Sequence, residues 1–386
     1  MVGGGSGGHV TPLKAVAKEI TKTLPRAQVE VITDRRFFND AKKIFTDMPD
    51  IHLKKIFSGK LRRYNGKTFL WHMTHFPTLF KNIADIFKLG LGLVQSFIYL
   101  LVNRPDVVFA KGGSVSVPIG VMAHLLRIPL VIHDSDTHPG LASRILSRWA
   151  QAIATGMPTK YYDYPKEKTV YTGIPVADEY QVVSKKLQHE LKHKIGFESS
   201  DPLLLITGGG TGASTLNSIL GRVGEGLLER GWQIIQVTGR GKSAEVLDVR
   251  NALSQLKQKR WQIAEFVDLT AYVLAADIII SRTGATAMQE FANAKKIVIT
   301  IPSRFLAGGH QLKNAKMFED SKAAIVLDEQ QLEAEPEVLI STIESLSEDS
   351  DKAKRCADRL FHDFARPQAA SDLAATIVRV AKGSLQ

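Results

Sequence analysis

The 386-residue sequence holds a single cysteine, Cys356. That excludes an internal disulfide and any zinc site built on thiolates, and it suits a reducing compartment. Long apolar runs are scarce too. The longest, residues 89–102, is interrupted by Gln95 and Ser96 and falls short of the roughly 20 residues a spanning helix needs. No apolar leader precedes the first glycines, and no short repeat or low-complexity tract follows the first ten residues. Acids are nearly missing from one region: between residues 51 and 105, nine Lys and Arg face the lone Asp85. What remains is ordinary for a globular chain, 44% hydrophobic and 23% charged with a net charge of +11, and its length implies two domains. In the basic region the interleaved aromatics include Phe57, Tyr64, Phe69, Trp71, Phe76, Phe80, Phe87 and Phe97. Bulky apolar groups among cations favour an anionic lipid surface over nucleic acid. Core aromatics beneath a solvated basic face are the competing reading.

The stretch that organises the chain is Gly3-Gly4-Gly5-Ser6-Gly7-Gly8-His9-Val10-Thr11-Pro12. Its glycines permit a tight turn and close approach to a ligand. Thr11 and Pro12 predict a helix start, and Leu13, Val16, Ile20 and Leu24 form its apolar stripe. A glycine turn feeding a helix N-terminus cradles anions, and His9 at its lip titrates near neutrality. A flexible linker is disfavoured because a patterned helix follows. Only Met1 and Val2 precede the glycines where a central buried strand of about five residues belongs, so the reading expects a first strand cut short, with in-frame codons upstream.

Apolar runs alternate with helical periodicity along the whole chain, the mark of parallel α/β layering. Strands are predicted at 29–33, 107–110 and 130–133, with helices over 11–24, within 76–102 and over 117–126. After Gly173-Ile174-Pro175 comes a charged helical stretch, 184–194, and then the pattern restarts. A strand at 203–207 leads into a second glycine turn, Gly208 to Gly212, and a helix over 216–228; more strands follow at 233–237, 278–281 and 297–301. Two strand–glycine-turn–helix units, each opening its own half, predict two Rossmann-like domains.

The second half carries Arg282-Thr283-Gly284-Ala285-Thr286-Ala287-Met288-Gln289-Glu290, then His310-Gln311 and Asn314. With the first glycine stretch, Lys111-Gly112-Gly113-Ser114-Val115-Ser116-Val117-Pro118 and the second glycine turn, these residues resemble the MurG-type N-acetylglucosaminyltransferases of peptidoglycan synthesis over nearly the whole chain. The resemblance implies a GT-B architecture, two Rossmann-like parallel-sheet domains separated by a cleft. It implies inverting transfer of GlcNAc from UDP-GlcNAc to lipid I (undecaprenyl-pyrophosphoryl-MurNAc-pentapeptide), giving lipid II, with no metal and no cofactor. The enzyme would work peripherally at the cytoplasmic face of the cell membrane, with anionic inner-leaflet lipids and other cell-wall synthesis proteins as partners and no nucleic acid. Residues 1–175 would take the acceptor and the membrane, 176–366 the donor, and a closing helix over 367–386 would pack back on the first domain.

Site residues carry over by position. On the donor side they are Gly209, Gly210 and Thr211 of the glycine turn, Phe266 and Val267 beside uracil, Arg282 to Thr286 at the phosphates, Glu290 on the ribose, and His310 and Gln311 on the sugar. Arg282-Thr283-Gly284 follows a strand and opens a helix, so main-chain N–H groups and a cation are available there, and Glu290 lies two turns along the same helix. Thr238-Gly239-Arg240-Gly241 makes a further turn that borders the donor or merely connects a strand to a helix. On the acceptor side His9 is the candidate base, with Ser6, Gly7, Gly8, Gly113 and Ser114 at the diphosphate and Asp134 and Asp136 at the sugar. Lys60, Arg62, Arg63, Lys67, Trp71, Phe76 and Phe80 would meet the membrane.

Three departures stand out. Asp134-Ser135-Asp136 replaces a usual Glu-Gln-Asn, and its spacing invites a divalent-metal reading that its place in the acceptor half disfavours. Ala177 stands where an arginine is common, and Gly210 where a serine is, which leaves Thr211, Ser214 or Lys242 to compensate at the donor phosphates. The rival readings are a glycolipid transferase, a UDP-GlcNAc 2-epimerase or a non-catalytic membrane scaffold.

Overall fold

The computed structural model describes residues 1–59, 75–209, 213–304 and 309–383. It divides into two compact units, Met1–Val176 with Gln368–Gln386, and Ala177–Pro367.

The first unit is a seven-stranded, all-parallel sheet. Along the chain run β1 (Val2–Gly3), α1 (Gly7–Thr23), β2 (Glu30–Asp34), α2 (Phe38–Ile44), β3 (His52–Ile56), α3 (Phe76–Asn103), β4 (Val108–Gly112), α4 (Ser116–Leu125), β5 (Leu130–Asp134), α5 (Leu141–Leu146), β6 (Ala152–Thr155) and β7 (Thr169–Tyr171). The spatial order is β3-β2-β1-β4-β5-β6-β7. Strand β1 has two residues yet holds the central slot: Val2 pairs with Ile32 on one side and Ala110 on the other. Backbone of Met1 extends the ladder, its carbonyl accepting from Ile32 N–H at 2.9 Å. Strands β4 and β5 are buried along their whole length, which explains their unbroken apolar runs. On one face Val10, Leu13, Val16 and Ala17 of α1 pack with Leu373, Ala374 and Ile377 of the closing helix, Ala369–Ala381. On the other, Ile119 and Ala123 of α4 and Leu100 of α3 cover Ile32, Val108 and Ile132. Strand β3 escaped the sequence reading because it is an edge: His52, Lys54 and Lys55 are exposed, and lysines there block pairing with a further strand.

Helix α3 spans 28 residues and corrects the expectation that its apolar run is too short. Its Phe80–Asn103 part is long and apolar enough to cross a membrane by length and composition. Its inward face is the polar one. Asp85, Gly92, Ser96 and Leu100 are buried, Gln95 accepts from Phe57 N–H at 2.9 Å, and Ser96 donates to the Gly92 carbonyl at 2.6 Å. Outward point Phe80, Ile83, Phe87, Leu91, Val94, Ile98 and Val102, spaced by threes and fours along one stripe.

The second unit continues with α6 (Lys185–Lys194), β8 (Leu203–Thr207), α7 (Ser214–Glu229), β9 (Gln233–Val237), α8 (Ala244–Asn251), α9 (Gln255–Lys259), β10 (Trp261–Ala264), α10 (Leu269–Ala275), β11 (Ile278–Ser281), α11 (Ala285–Asn293), β12 (Ile297–Thr300), α12 (His310–Asp320), β13 (Ile325–Val326), α13 (Glu329–Ala334), α14 (Glu337–Glu348) and α15 (Ser350–Phe364). Its six parallel strands lie in the order β10-β9-β8-β11-β12-β13. The core joins Leu216, Leu220 and Val223 of α7 to Ile234, Trp261 and Ile280 of the sheet. Helix α6 is tied underneath by buried Lys192, which pairs with Asp277 at 2.6 Å, while Gln188 donates to the carbonyls of Ala275 and Ala276.

Candidate functional site

In the first unit the glycine stretch turns earlier than its proline suggested. Ser6 is extended (φ −164°, ψ 161°) and α1 begins at Gly7, so Gly7, Gly8 and His9 form its first turn rather than a loop before Thr11. Pro12 sits in the second turn, where the carbonyl it leaves unpaired belongs to exposed Gly8 and meets water. No side chain caps this terminus; His9 N–H donates to the Ser6 carbonyl at 3.2 Å, and the backbone at Gly7 and Gly8 with the positive end of the helix dipole can face an anion.

Asp34, at the end of β2, braces the turn. One carboxylate oxygen accepts from Gly5 N–H at 2.6 Å, the other from the N–H groups of Arg36 and Phe37 at 3.0 and 3.2 Å. The sequence reading missed it, although an acid ending the second strand of a Rossmann unit is a known position for a functional carboxylate. The two glycine turns of this unit interlock. A Cβ on Gly113, whose φ is +82°, would strike the Gly4 carbonyl, and one on Gly112 would lie 3.0 Å from His9 Nδ1. His9 therefore rests on bare backbone. Ser114 shares a hydrogen bond with Ser58 at 3.1 Å, and Ser116 donates to the Gly112 carbonyl at 2.8 Å.

Beneath these turns lies a buried ionic cluster. Lys111 donates to Ser135 Oγ at 2.5 Å; burial pushes its ammonium down to about 8 despite the nearby Asp134 and Asp136. His133 Nε2–H donates to the Gly173 carbonyl at 2.9 Å, and burial with the adjacent Lys111 keeps the ring neutral. Asp134 corrects the reading of a sugar contact. Its carboxyl is buried, takes hydrogen bonds from the Tyr164 and Ser143 hydroxyls, and is raised above the usual range by burial. Asp136 stays half-buried. An ammonium already stands among these carboxylates, which is poor chemistry for a divalent cation.

In the second unit the glycine turn is described through Gly209, which has φ +77° and donates to Thr207 Oγ1 at 3.2 Å; Gly210 and Thr211 lie outside the described residues. Arg282 is a second correction. Its guanidinium turns inward to pair with Glu329 and to donate to the Ile301 carbonyl at 2.9 Å, so it ties β11 to α13. Thr283 is likewise committed, its hydroxyl 2.6 Å from that of Thr300. What this turn offers an anion is main chain: Gly284 is the N-cap of α11, no side chain caps the helix, and Ala285 and Thr286 open its first turn.

Glu290 stands half-buried on α11, and burial together with Asp268 raises its carboxyl to about 8. Tyr180 lies close enough for the Glu290 charge to raise its phenol further above the range that burial already sets. Asp268 caps α10 by accepting from Thr270 N–H at 3.0 Å. Phe266 presents its ring to solvent, 65% exposed, with half-buried Val267 next to it. His310 begins α12 half-buried, whereas Gln311 is buried and its side-chain oxygen accepts from Ser303 N–H at 2.9 Å.

Of the proposed membrane residues, Lys60, Arg62, Arg63, Lys67 and Trp71 lie outside the described residues, and Phe76 opens α3. Phe80 and Phe87 are 69% and 72% exposed, so the reading of core aromatics fails at both.

Two parallel-sheet units, each with a glycine turn feeding a helix, define the GT-B class of nucleotide-sugar enzymes. The crystal structure of Acinetobacter baumannii MurG superposes with a TM-score of 0.70 at 23% identity, covering 98% of both chains. A UDP-GlcNAc 2-epimerase from Neisseria meningitidis, bound to UDP-GlcNAc, reaches 0.67 at 12% identity with the same coverage. At such identities the likeness establishes the fold alone. Residues 1–155 match the profile of the glycosyltransferase family 28 N-terminal domain, and residues 203–373 that of its C-terminal domain. A UDP-N-acetylglucosamine–N-acetylmuramyl-(pentapeptide) pyrophosphoryl-undecaprenol N-acetylglucosamine transferase of Bacillus cereus is 32% identical over 91% of this chain and 92% of its own length. Its counterpart in Clostridium botulinum is 31% identical over 86% of each. The chain belongs to glycosyltransferase family 28.

Proposed function

We propose that the chain transfers GlcNAc from UDP-GlcNAc to lipid I with inversion at the anomeric carbon. The observation that carries this reading is the 32% identity, over nearly the full length, to a transferase named for that reaction. The residues support it with a division of labour. Glu290 takes the ribose hydroxyls, the uncapped start of α11 takes negative charge on the departing diphosphate, and Phe266 flanks the base. His9, at the start of α1, accepts the proton of the acceptor hydroxyl as its oxygen bonds to the anomeric carbon and the bond to UDP breaks. The first turn of α1, with Gly113 and Ser114, holds the acceptor diphosphate.

The enzyme works peripherally at the membrane, and the apolar stripe of α3 is the surface that meets it. A helix that buries Asp85 and Ser96 while exposing Phe80, Phe87 and Val102 has its polarity reversed for water. The cations between residues 51 and 105 adjoin it in sequence and complement anionic headgroups. Radiolabelled UDP-GlcNAc incubated with a short-chain lipid I analogue should yield label in the extracted lipid. Label that stays in the aqueous phase, from a chain that binds UDP, would refute the acceptor.

A further inference from the structure

The diphosphate of a nucleotide sugar brings two negative charges that α/β enzymes of this kind meet with main-chain N–H groups and a cation. Two residues that sequence position offers for the cation do not supply it: position 177 is alanine, and Arg282 is spent on Glu329 and Ile301. We infer that Arg240, on the turn after β9, is the residue that contacts the donor diphosphate. The inference rests on the transferase reading and deepens its donor site.

Topology places this turn well. The sheet order β10-β9-β8 sets it between Phe266, which follows β10, and the start of α7, which follows β8. Strands lie about 4.8 Å apart, so these flanking features stand roughly 10 Å apart, the span from a nucleobase to its diphosphate. Ligands of open parallel sheets bind beyond these carboxyl ends.

The turn is also built to hold one side chain out. Gly239 and Gly241, at φ +90° and +69°, flank Arg240, and few residues but glycine take that conformation twice in three positions. Buried Asn217 on α7 donates to the carbonyls of Thr238 and Lys242 at 3.0 and 3.4 Å. Thr238 N–H donates to the Ala264 carbonyl at 2.9 Å, and Ser243 donates to Glu265 at 2.8 Å. At the tip, Arg240 is exposed, and its guanidinium carbon lies 5.1 Å from the centre of the Phe266 ring. An arginine held beside a solvent-facing aromatic suits a base on the ring and phosphate oxygens on the guanidinium fork.

Titration calorimetry on the full chain, with UDP and with uridine as separate probes, tests the assignment. Arg240→Gln should weaken UDP roughly 10- to 100-fold, the range of one charge-assisted contact, while uridine weakens far less. Arg240→Lys should recover part of the loss. Melting curves should be unchanged, since the side chain is exposed. Equal losses for uridine and UDP would assign Arg240 to the base platform and overturn the proposal, as would UDP binding indifferent to the substitution. A wild-type chain that binds no UDP would overturn the donor reading itself along with this assignment.

Discussion

Glu290 is half-buried with Asp268 nearby, and the two effects lift its carboxyl from an ordinary 4.5 to about 8. The folded state therefore holds a proton that the unfolded chain has lost, between pH 4.5 and 8, so the stability this group contributes is complete below 4.5 and disappears as pH rises through 8. Glu290→Gln, neutral at all pH, should then be more stable than wild type above pH 8, by on the order of 2–4 kcal/mol, and equal to it near pH 4. Urea midpoints across that range check the sign. Ribose hydroxyls bind the carboxylate best, so UDP-GlcNAc should bind more tightly as pH rises from 6 to 8 and should release a proton, visible as a buffer-dependent heat. Glu290→Ala should cost roughly 1.5–3 kcal/mol of donor affinity, while His9→Ala should mainly slow turnover, by roughly 10²- to 10⁴-fold. Equal effects on donor affinity would remove His9 from the acceptor side. Both residues could be proposed from the sequence because each falls at a matching position of the motifs that carry the family resemblance. The inward turn of Arg282 was not, since its captor Glu329 lies 47 residues away. Asp34 and Lys111 were hidden for a related reason: a charged residue ending a strand looks the same whether it faces a ligand or braces a loop.

At the scale of elements, every strand read as a continuous apolar run is present, β8, β9 and β11 with the expected bounds. Those missed are edges or brief: β3 with its lysines, β7, the edge strand β10, the two-residue β13 and the four-residue β6 inside the first sheet. Periodicity sees burial sustained over several residues: the edge strands bury little, and β6, though buried throughout, is only four residues long. Alpha-helix α1 began four residues early because glycine and proline signals conflicted, and tertiary contact with Asp34 settled the turn. That turn makes a sharp prediction. Gly113→Ala must place Cβ on the Gly4 carbonyl at φ +82°, and strain plus overlap should destabilise the first unit by about 2–4 kcal/mol. Acceptor transfer should be lost while UDP affinity stays within about twofold of wild type, because ΔΔG values of separated sites are nearly independent. Helix α3 gives another. Phe80→Ser with Phe87→Ser removes two exposed rings, so the fold should melt unchanged while binding to anionic vesicles falls. Reversing Lys60, Arg62, Arg63 and Lys67 should make the residual binding insensitive to salt, since each cation near such a surface contributes about 1 kcal/mol. Co-sedimentation unaffected by both sets would remove the membrane surface from this face.

Among the described residues the core clusters of the two units share no member: one lies around Leu13, Phe109 and Leu373 and another around Ile119 and Ile132 in the first unit, and one around Leu220, Trp261 and Ile280 in the second. The first unit needs the chain's end as well as its beginning, because the closing helix covers α1. Glu290, Phe266 and the start of α11, proposed above for the donor, all lie in the second unit. A ligand stabilises only what it binds, by RT ln(1 + [L]/Kd), so UDP at a hundred times its Kd should add about 2.7 kcal/mol to the second unit and nothing to the first. For a unit of this size that corresponds to a rise of roughly 5–10 °C in Tm. Calorimetry should show two transitions, of which UDP raises one, and Glu290→Ala, by weakening UDP about 12- to 160-fold, should cut that ligand-induced gain to about 0.3–1.3 kcal/mol at the same UDP concentration. Truncation before Ala369 should lower the other transition and leave the UDP-sensitive one in place. If both transitions climbed together with UDP, the two units would melt as one cooperative block. If neither moved, the second unit would not be the donor domain.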